Sequence, residues 1–224
     1  MTVALTTDRF DQVAHWFTAA GLEPLHLPCI RVDPASEETL QRARDAASSA
    51  DLLLLTSPRT VGLLWPLGDM PDVEVGAVGR ATAAAATEAG GRVGITGRSG
   101  LARLIDEAAD RVSGKRVVLA HAASADSSAM ARLEGLAPDL EEHCVYRVTP
   151  VGPADTPVDA VVFASPSAVE GWLLSRSLDG PLLAAIGETT AAALGRYRAP
   201  DVTAPSPSYQ ALAQTLASIL EVRV

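Results

Sequence analysis

Residues 51–61 read DLLLLTSPRTV, and residues 159–169 read DAVVFASPSAV. The two stretches lie 108 positions apart (159 − 51). Each opens on an aspartate, runs through four apolar residues, and closes on Ser-Pro. A short apolar run bounded by turn residues reads as a strand buried on both faces. Serine before proline reads as a helix N-cap followed by a favoured first helical residue. Both stretches therefore predict a strand that turns sharply into a helix. The same offset carries AVGRATAAA (77–85) onto AIGETTAAA (185–193) with no gap. Asp, Ser-Pro, Val, Gly and Thr all recur in one register, which marks a duplicated unit. The period is far too long for a solenoid repeat.

Reading outward from these blocks, strands are predicted near 2–6, 23–30, 51–55, 73–78, 92–95, 115–120, 139–148, 158–163, 182–186 and 200–203. Helices are predicted near 9–20, 36–47, 58–65, 80–89, 100–110, 126–136, 166–178, 188–195 and 208–221. Strand alternating with helix gives an α/β fold of the doubly wound, parallel-sheet type. Ten strands suit two sheets of about five better than a single sheet.

Composition narrows the function. The chain has 224 residues, 48% hydrophobic and 20% charged, within the range of globular proteins and outside that of disordered chains. No apolar run approaches the ~18 residues of a membrane span, and the first residues carry no signal-peptide pattern. The net charge of −9 argues against general nucleic-acid binding. Two cysteines, Cys29 and Cys144, do not make a disulfide scaffold and point to a reducing cytoplasm.

In open α/β sheets, ligands bind beyond the carboxyl ends of the strands. Ser57, Pro58 and Thr60 fall there in the first copy, as do Ser165, Pro166 and Ser167 in the second. Gly79 and Gly187 end the next strand of each copy, with Thr82 and Thr190 in the helical turn that follows. Each serine alone reads as a simple cap; four hydroxyl-rich turns at equivalent places read as a ligand surface suited to anions such as carboxylates. Neither GxGxxG nor GxxxxGK[ST] occurs. The GRVGITGRSG stretch, with Gly91, Gly94, Gly97 and Gly100, reads as a strand-to-helix loop rather than a phosphate cradle. His26, Cys29, His143 and Cys144 do not form a metal-ligand pattern, since adjacent strand residues face opposite ways. His15 beside Trp16 reads as structural, and His121 at a strand end as a weak polar candidate. A Ser-His-Asp hydrolase lacks its GxSxG turn.

The segments VALTT (3–7), GLEPLHLPCIRVDP (21–34), DLLLLTSPRTV, AVGRATAAAA (77–86), GKRVVLA (114–120), VYRVTPV (145–151), DAVVFASPSAV, AAIGETTAAAL (184–194) and the last helix from Ser208 occur in one order over nearly the whole chain. In this order they resemble the uroporphyrinogen-III synthase family, the cyclising enzymes of tetrapyrrole biosynthesis. The resemblance implies two similar α/β domains joined by a two-stranded hinge that the chain crosses twice. The first domain would take residues 1–30 and 150–224, the second 33–145, with hinge segments near 29–32 and 145–149. Each would receive five strands, with the two repeat copies facing each other across a cleft and both cysteines near the hinge, read as reduced.

The reaction implied is that of a cyclising hydro-lyase. Hydroxymethylbilane, a linear tetrapyrrole, closes to uroporphyrinogen III with inversion of ring D and loss of water, without metal or organic cofactor. Tyr146, in VYR, matches a cleft tyrosine of the family and would help the hydroxyl depart. Phenols as a class ionise near pH ~10, so a tyrosine can donate at neutral pH. Ser57, Arg59, Thr60, Gly79, Arg80, Thr82, Ser165, Ser167, Gly187, Thr189 and Thr190 would contact the substrate, and Arg9 and Arg147 would add positive charge. The resemblance further implies a cytoplasmic monomer without nucleic-acid or membrane partner, in transient contact with the preceding pathway enzyme. The sequence departs from the family at Thr7 and Ala164, where relatives carry Arg and Thr, and at His121-Ala122, where they continue with Arg and Gly. A noncatalytic tetrapyrrole-binding regulatory module of the same build is the alternative; an additional DNA-binding or methyltransferase segment would be expected there, and none is visible. A two-domain sugar-nucleotide enzyme would call for clearer phosphate signals.

Overall fold

The computed structural model describes residues 1–97, 100–123 and 126–222. It divides into two compact units, one of Met1–Val32 with Val148–Val224 and one of Asp33–Arg147.

In the first unit, β1 (Thr2–Leu5), β2 (Glu23–His26), β9 (Ala160–Phe163), β10 (Leu182–Ala185) and β11 (Val202–Thr203) form a sheet in the order β11-β10-β9-β1-β2. All its pairings are parallel. Helices α1 (Phe10–Ala19), α7 (Pro166–Leu173), α8 (Glu188–Leu194) and α9 (Tyr209–Val222) connect and cover it. In the second sheet, β3 (Ile30–Pro34), β4 (Leu52–Leu55), β5 (Glu74–Ala77), β6 (Arg92–Thr96), β7 (Arg116–Ala122) and β8 (Asp139–Pro150) take the order β3-β8-β7-β4-β5-β6; β4 to β7 lie wholly in the second unit, and β3 and β8 cross its bounds. The helices of the second unit are α2 (Glu37–Ser48), α3 (Pro58–Leu64), α4 (Arg80–Glu88), α5 (Gly100–Val112) and α6 (Ser127–Leu136). Superimposing the repeat on these orders matches β8-β7-β4-β5-β6 with β2-β1-β9-β10-β11, strand for strand.

The repeated turns have the same backbone. Ser57 sits at φ −160°, ψ 157° and Ser165 at φ −162°, ψ 160°, each side chain accepting the N–H three residues on. Gly79 and Gly187 are fully extended and cap α4 and α8 without a side chain. The strands that feed these turns are buried on both faces, as their unbroken apolar runs require: Leu52–Leu55 and Ala160–Phe163 are 0–1% exposed. Burying each leucine side chain stabilises by about 1.5–3 kcal/mol.

Three details differ from the sequence expectation. The extended run 23–30 is two strands, because Leu27 and Cys29 donate to successive carbonyls, Leu5 and Thr6, rather than alternate ones, and the parallel register with β1 is lost there. The chain then enters the other sheet as β3, giving that sheet six strands rather than five. Helix α7 stops at Leu173 rather than near 178, since Leu174 N–H turns back to Gly171 and the Trp172 indole donates to Ser177. Gly94 lies inside β6, at a register shift against β5; the remainder of the 91–100 stretch includes Arg98 and Ser99, which lie outside the described residues.

Gly171 marks a close approach that only glycine allows. A Cβ there would stand 1.9 Å from the Cys29 carbonyl oxygen and 2.8 Å from that of Val151, the two strands of chain that run beside α7 and bond to each other through Val151 N–H. Gly62 of α3 has open space around it. Gly171→Ala should therefore lower unfolding free energy by about 3 kcal/mol or more, by overpacking against backbone. Gly62→Ala should raise it by about 0.5–1 kcal/mol through helix propensity alone. Urea denaturation of the two variants checks both; equal stability of Gly171→Ala and the parent would refute the contact.

Candidate active site

In the second unit, chain order and sheet order part between β4 and β7. Such a switch point opens a crevice at the strands' carboxyl ends. Thr56 bridges the two strands there by donating to the Ala120 carbonyl at 3.4 Å. Ser57 follows β4. Its Oγ accepts the Thr60 N–H at 3.1 Å, lies 3.0 Å from Thr60 Oγ1, and lies 3.0 Å from the Tyr146 hydroxyl. Thr60 is wholly buried and Tyr146 is 7% exposed. The Arg59 guanidinium stands over the Tyr146 ring, 5.6 Å from its centroid, close enough for a cation–π attraction.

Tyr146 owes its place to an irregularity. In the β7–β8 ladder His121 opposes Cys144, but Ala122 opposes Tyr146, so Val145 is an extra residue. Such a bulge re-aims the side chains that follow it. His143, Val145 and Tyr146 are buried, whereas Cys144 is exposed.

The other residues singled out from the sequence are distributed as follows. Gly79 and Arg80 stand at the start of α4, Arg80 exposed, with Thr82 buried one turn in. In the first unit the corresponding switch point lies between β9 and β1, bridged by Thr6, which donates to the Val162 carbonyl at 2.8 Å. Ser165 and Ser167 are half-buried beside it; Ser165 caps α7 through Ala168 N–H. Gly187 precedes α8, with Thr189 exposed and Thr190 buried. Two grooves between paired helices repeat the duplication. One of about 340 Å³ is lined by Pro58, Val61 and Ala85, and one of about 200 Å³ by the equivalent Pro166, Val169 and Ala193.

The histidines are engaged locally. His121 Nδ1 meets the Ala122 carbonyl at 2.8 Å, His143 Nε2 meets Glu141, His26 stacks on Phe10 and reaches the Thr7 carbonyl, and His15 packs on Trp16. Among the described residues no three His, Cys, Asp or Glu side chains converge as metal ligands. No helix among them is long and apolar enough to cross a membrane. The contact of Ser57 with Tyr146, 89 positions apart, has no signal in the sequence.

The family model described as uroporphyrinogen-III synthase HemD matches residues 11–214. The chain belongs to the uroporphyrinogen-III synthase family. It is accordingly a lyase of porphyrin and heme biosynthesis. Solved structures agree in fold. Uroporphyrinogen-III synthetase from Helicobacter pylori is 19% identical, with 97% of this chain and 99% of that one covered and a TM-score of 0.68. A mutant uroporphyrinogen III synthase from Thermus thermophilus is 18% identical, with 99% of both chains covered and a TM-score of 0.65. The wild-type Thermus enzyme in a second crystal form gives 0.53 at 18% identity, with 100% and 99% covered. No curated protein matches the chain.

Burial separates the two cysteines of this synthase-family chain. It pushes the Cys29 thiol up to about 12, only partly offset by the nearby Arg176 charge, while Cys144 is exposed. Since the thiolate is the reactive form, iodoacetamide at pH 8 should label Cys144 in the native protein and Cys29 only after denaturation. Peptide mass spectrometry reads the result; native labelling of Cys29 would contradict its burial.

Proposed function

We propose that the chain closes hydroxymethylbilane to uroporphyrinogen III with inversion of ring D and release of water. Membership of the family supports the reaction class, and the Tyr146 hydroxyl held at the β4/β7 switch point is the observation that carries the residue assignment. In this reading Tyr146 gives a proton, directly or through a water, to the hydroxyl leaving ring A. The bond from that carbon to oxygen breaks, and the pyrrole nitrogen's electron pair stabilises the resulting azafulvene. The substituted carbon of ring D then attacks it, forming a spiro intermediate. Breaking the bond between that carbon and its original bridge leaves an azafulvene on ring C, and attack on it by the free alpha carbon of ring D, on the other side of the ring nitrogen, inverts the ring. Loss of a ring proton restores aromaticity and balances the proton given at the start.

The uncatalysed closure gives the non-inverted isomer, so most of the protein's contribution is orientation. Arg59, Gly79, Arg80 and Thr82 in one unit, and Ser165, Ser167, Gly187, Thr189 and Thr190 in the other, are assigned to the substrate's carboxylates. Strand-end positions and the positive charge of Arg59 and Arg80 favour that role despite the net charge of −9. The proposal treats the two units as domains joined through segments near 29–32 and 145–149. It needs no metal or organic cofactor, and takes the protein as a cytoplasmic monomer supplied by the enzyme that makes hydroxymethylbilane.

Incubation with freshly prepared hydroxymethylbilane in the presence of EDTA, followed by separation of product isomers, should give the type III isomer. Tyr146→Phe should keep the fold and lower kcat by about 10- to 1,000-fold, within the span of general-acid contributions. Ser165→Ala should act more weakly and mainly on KM. Type I product alone from the parent protein would refute the reading and favour a noncatalytic tetrapyrrole-binding module.

A further inference from the structure

We infer that Ser57 is a positioning residue for Tyr146, and that buried Thr60 fixes the direction of the hydrogen bond between them. The inference rests on Tyr146 being the proton donor proposed above, and it moves Ser57 and Thr60 from substrate contact to the support of that donor.

The direction follows from counting protons. Ser57 Oγ has one proton and two lone pairs. One lone pair is taken by the Thr60 N–H, a donor whose role is fixed, at 3.1 Å. Two hydroxyls remain within 3.0 Å, Thr60 Oγ1 and the Tyr146 hydroxyl, so Ser57 accepts from one and donates to the other. Thr60 is 0% exposed, and among the described residues Ser57 Oγ is the hydrogen-bond partner of its hydroxyl. Were Ser57 to donate to Thr60, the Thr60 proton would be buried without an acceptor, a cost that native interiors avoid. Thr60 therefore donates to Ser57, and Ser57 donates to Tyr146. The phenol oxygen receives a hydrogen bond, and its own proton is left to be given away.

The repeat supplies an internal comparison. Ser165 makes the same cap with the same backbone angles, but Ala168 stands where Thr60 stands in the first copy. Ser165 thus keeps its cap and lacks the second hydroxyl. The paired hydroxyls occur in the copy that holds Tyr146, so capping α3 does not account for them.

The test is a double-mutant cycle on the full chain with hydroxymethylbilane, reading kcat and KM separately for the parent, Ser57→Ala, Tyr146→Phe and the double variant. Ser57→Ala should lower kcat by about 3- to 20-fold, the loss expected for one hydrogen bond, and leave KM within about twofold. In the Tyr146→Phe background the same change should alter kcat by less than about twofold, because the group it acts through is gone. Ser57→Thr should restore most of the rate, and Thr60→Val should lose a smaller part of kcat, again only when Tyr146 is present. Should Ser57→Ala fail to fold, Ser57→Gly, which retains most of the capping, carries the same comparison. A slow Tyr146→Phe variant that Ser57→Ala slows further by the full factor, or a loss confined to KM, overturns the inference and leaves the donor assignment standing. A parent-like rate for Tyr146→Phe overturns the donor assignment and this inference with it.

Discussion

The first N–H groups of a helix have no partner within the helix, and at the end of β4 one of them, that of Thr60, is met by a serine hydroxyl. Ser57 stays extended so that its side chain can reach back to the Thr60 N–H. Pro58 then starts α3 without an N–H of its own to satisfy. The turn is sharp because the strand before it is locked: Leu52–Leu55 are buried, paired to β5 on one side and β7 on the other. The position of the Ser57 hydroxyl is therefore set by the sheet and not by a mobile loop. A tyrosine that hydrogen-bonds to it inherits that precision, which the proton-donor role proposed for Tyr146 requires.

The duplication separates what the fold needs from what the first copy alone carries. Both copies carry the cap, the proline, the extended glycine and the same strand order, because these keep each unit folded. They differ around the first serine hydroxyl. The first copy carries Arg59 and Thr60 and is met by Tyr146 from β8, while the second has Ser167 and Ala168 at the places of Arg59 and Thr60. The scaffold is symmetric and the chemistry assigned to it is not.

Much of this was legible in the residues. Unbroken apolar runs located β4, β7, β9 and β10, and Ser-Pro placed the helix starts of α3 and α7, because local burial and capping decide both. The break between β2 and β3 is not legible, because it depends on Leu27 and Cys29 meeting the successive carbonyls of Leu5 and Thr6, a tertiary fact. The early end of α7 depends likewise on the Trp172 indole finding the Ser177 carbonyl. For the candidate site, Tyr146 came from the family's VYR segment and Ser57 from its cap. Their contact was hidden, since it needs the extra residue Val145 in the β7–β8 ladder, and a strand's period-two pattern gives no warning of a bulge. The burial of Thr60, Thr82 and Thr190 was hidden as well: hydroxyls one turn into a helix read as surface residues until the helix is seen against its sheet.

The account turns on where one proton lies, and neutron diffraction from a deuterium-exchanged crystal locates it directly. The account predicts a deuteron on Ser57 Oγ directed at the Tyr146 oxygen, a second on Thr60 Oγ1 directed at Ser57, and the Tyr146 deuteron turned away from Ser57. A Tyr146 deuteron lying on the line to Ser57 Oγ would contradict it.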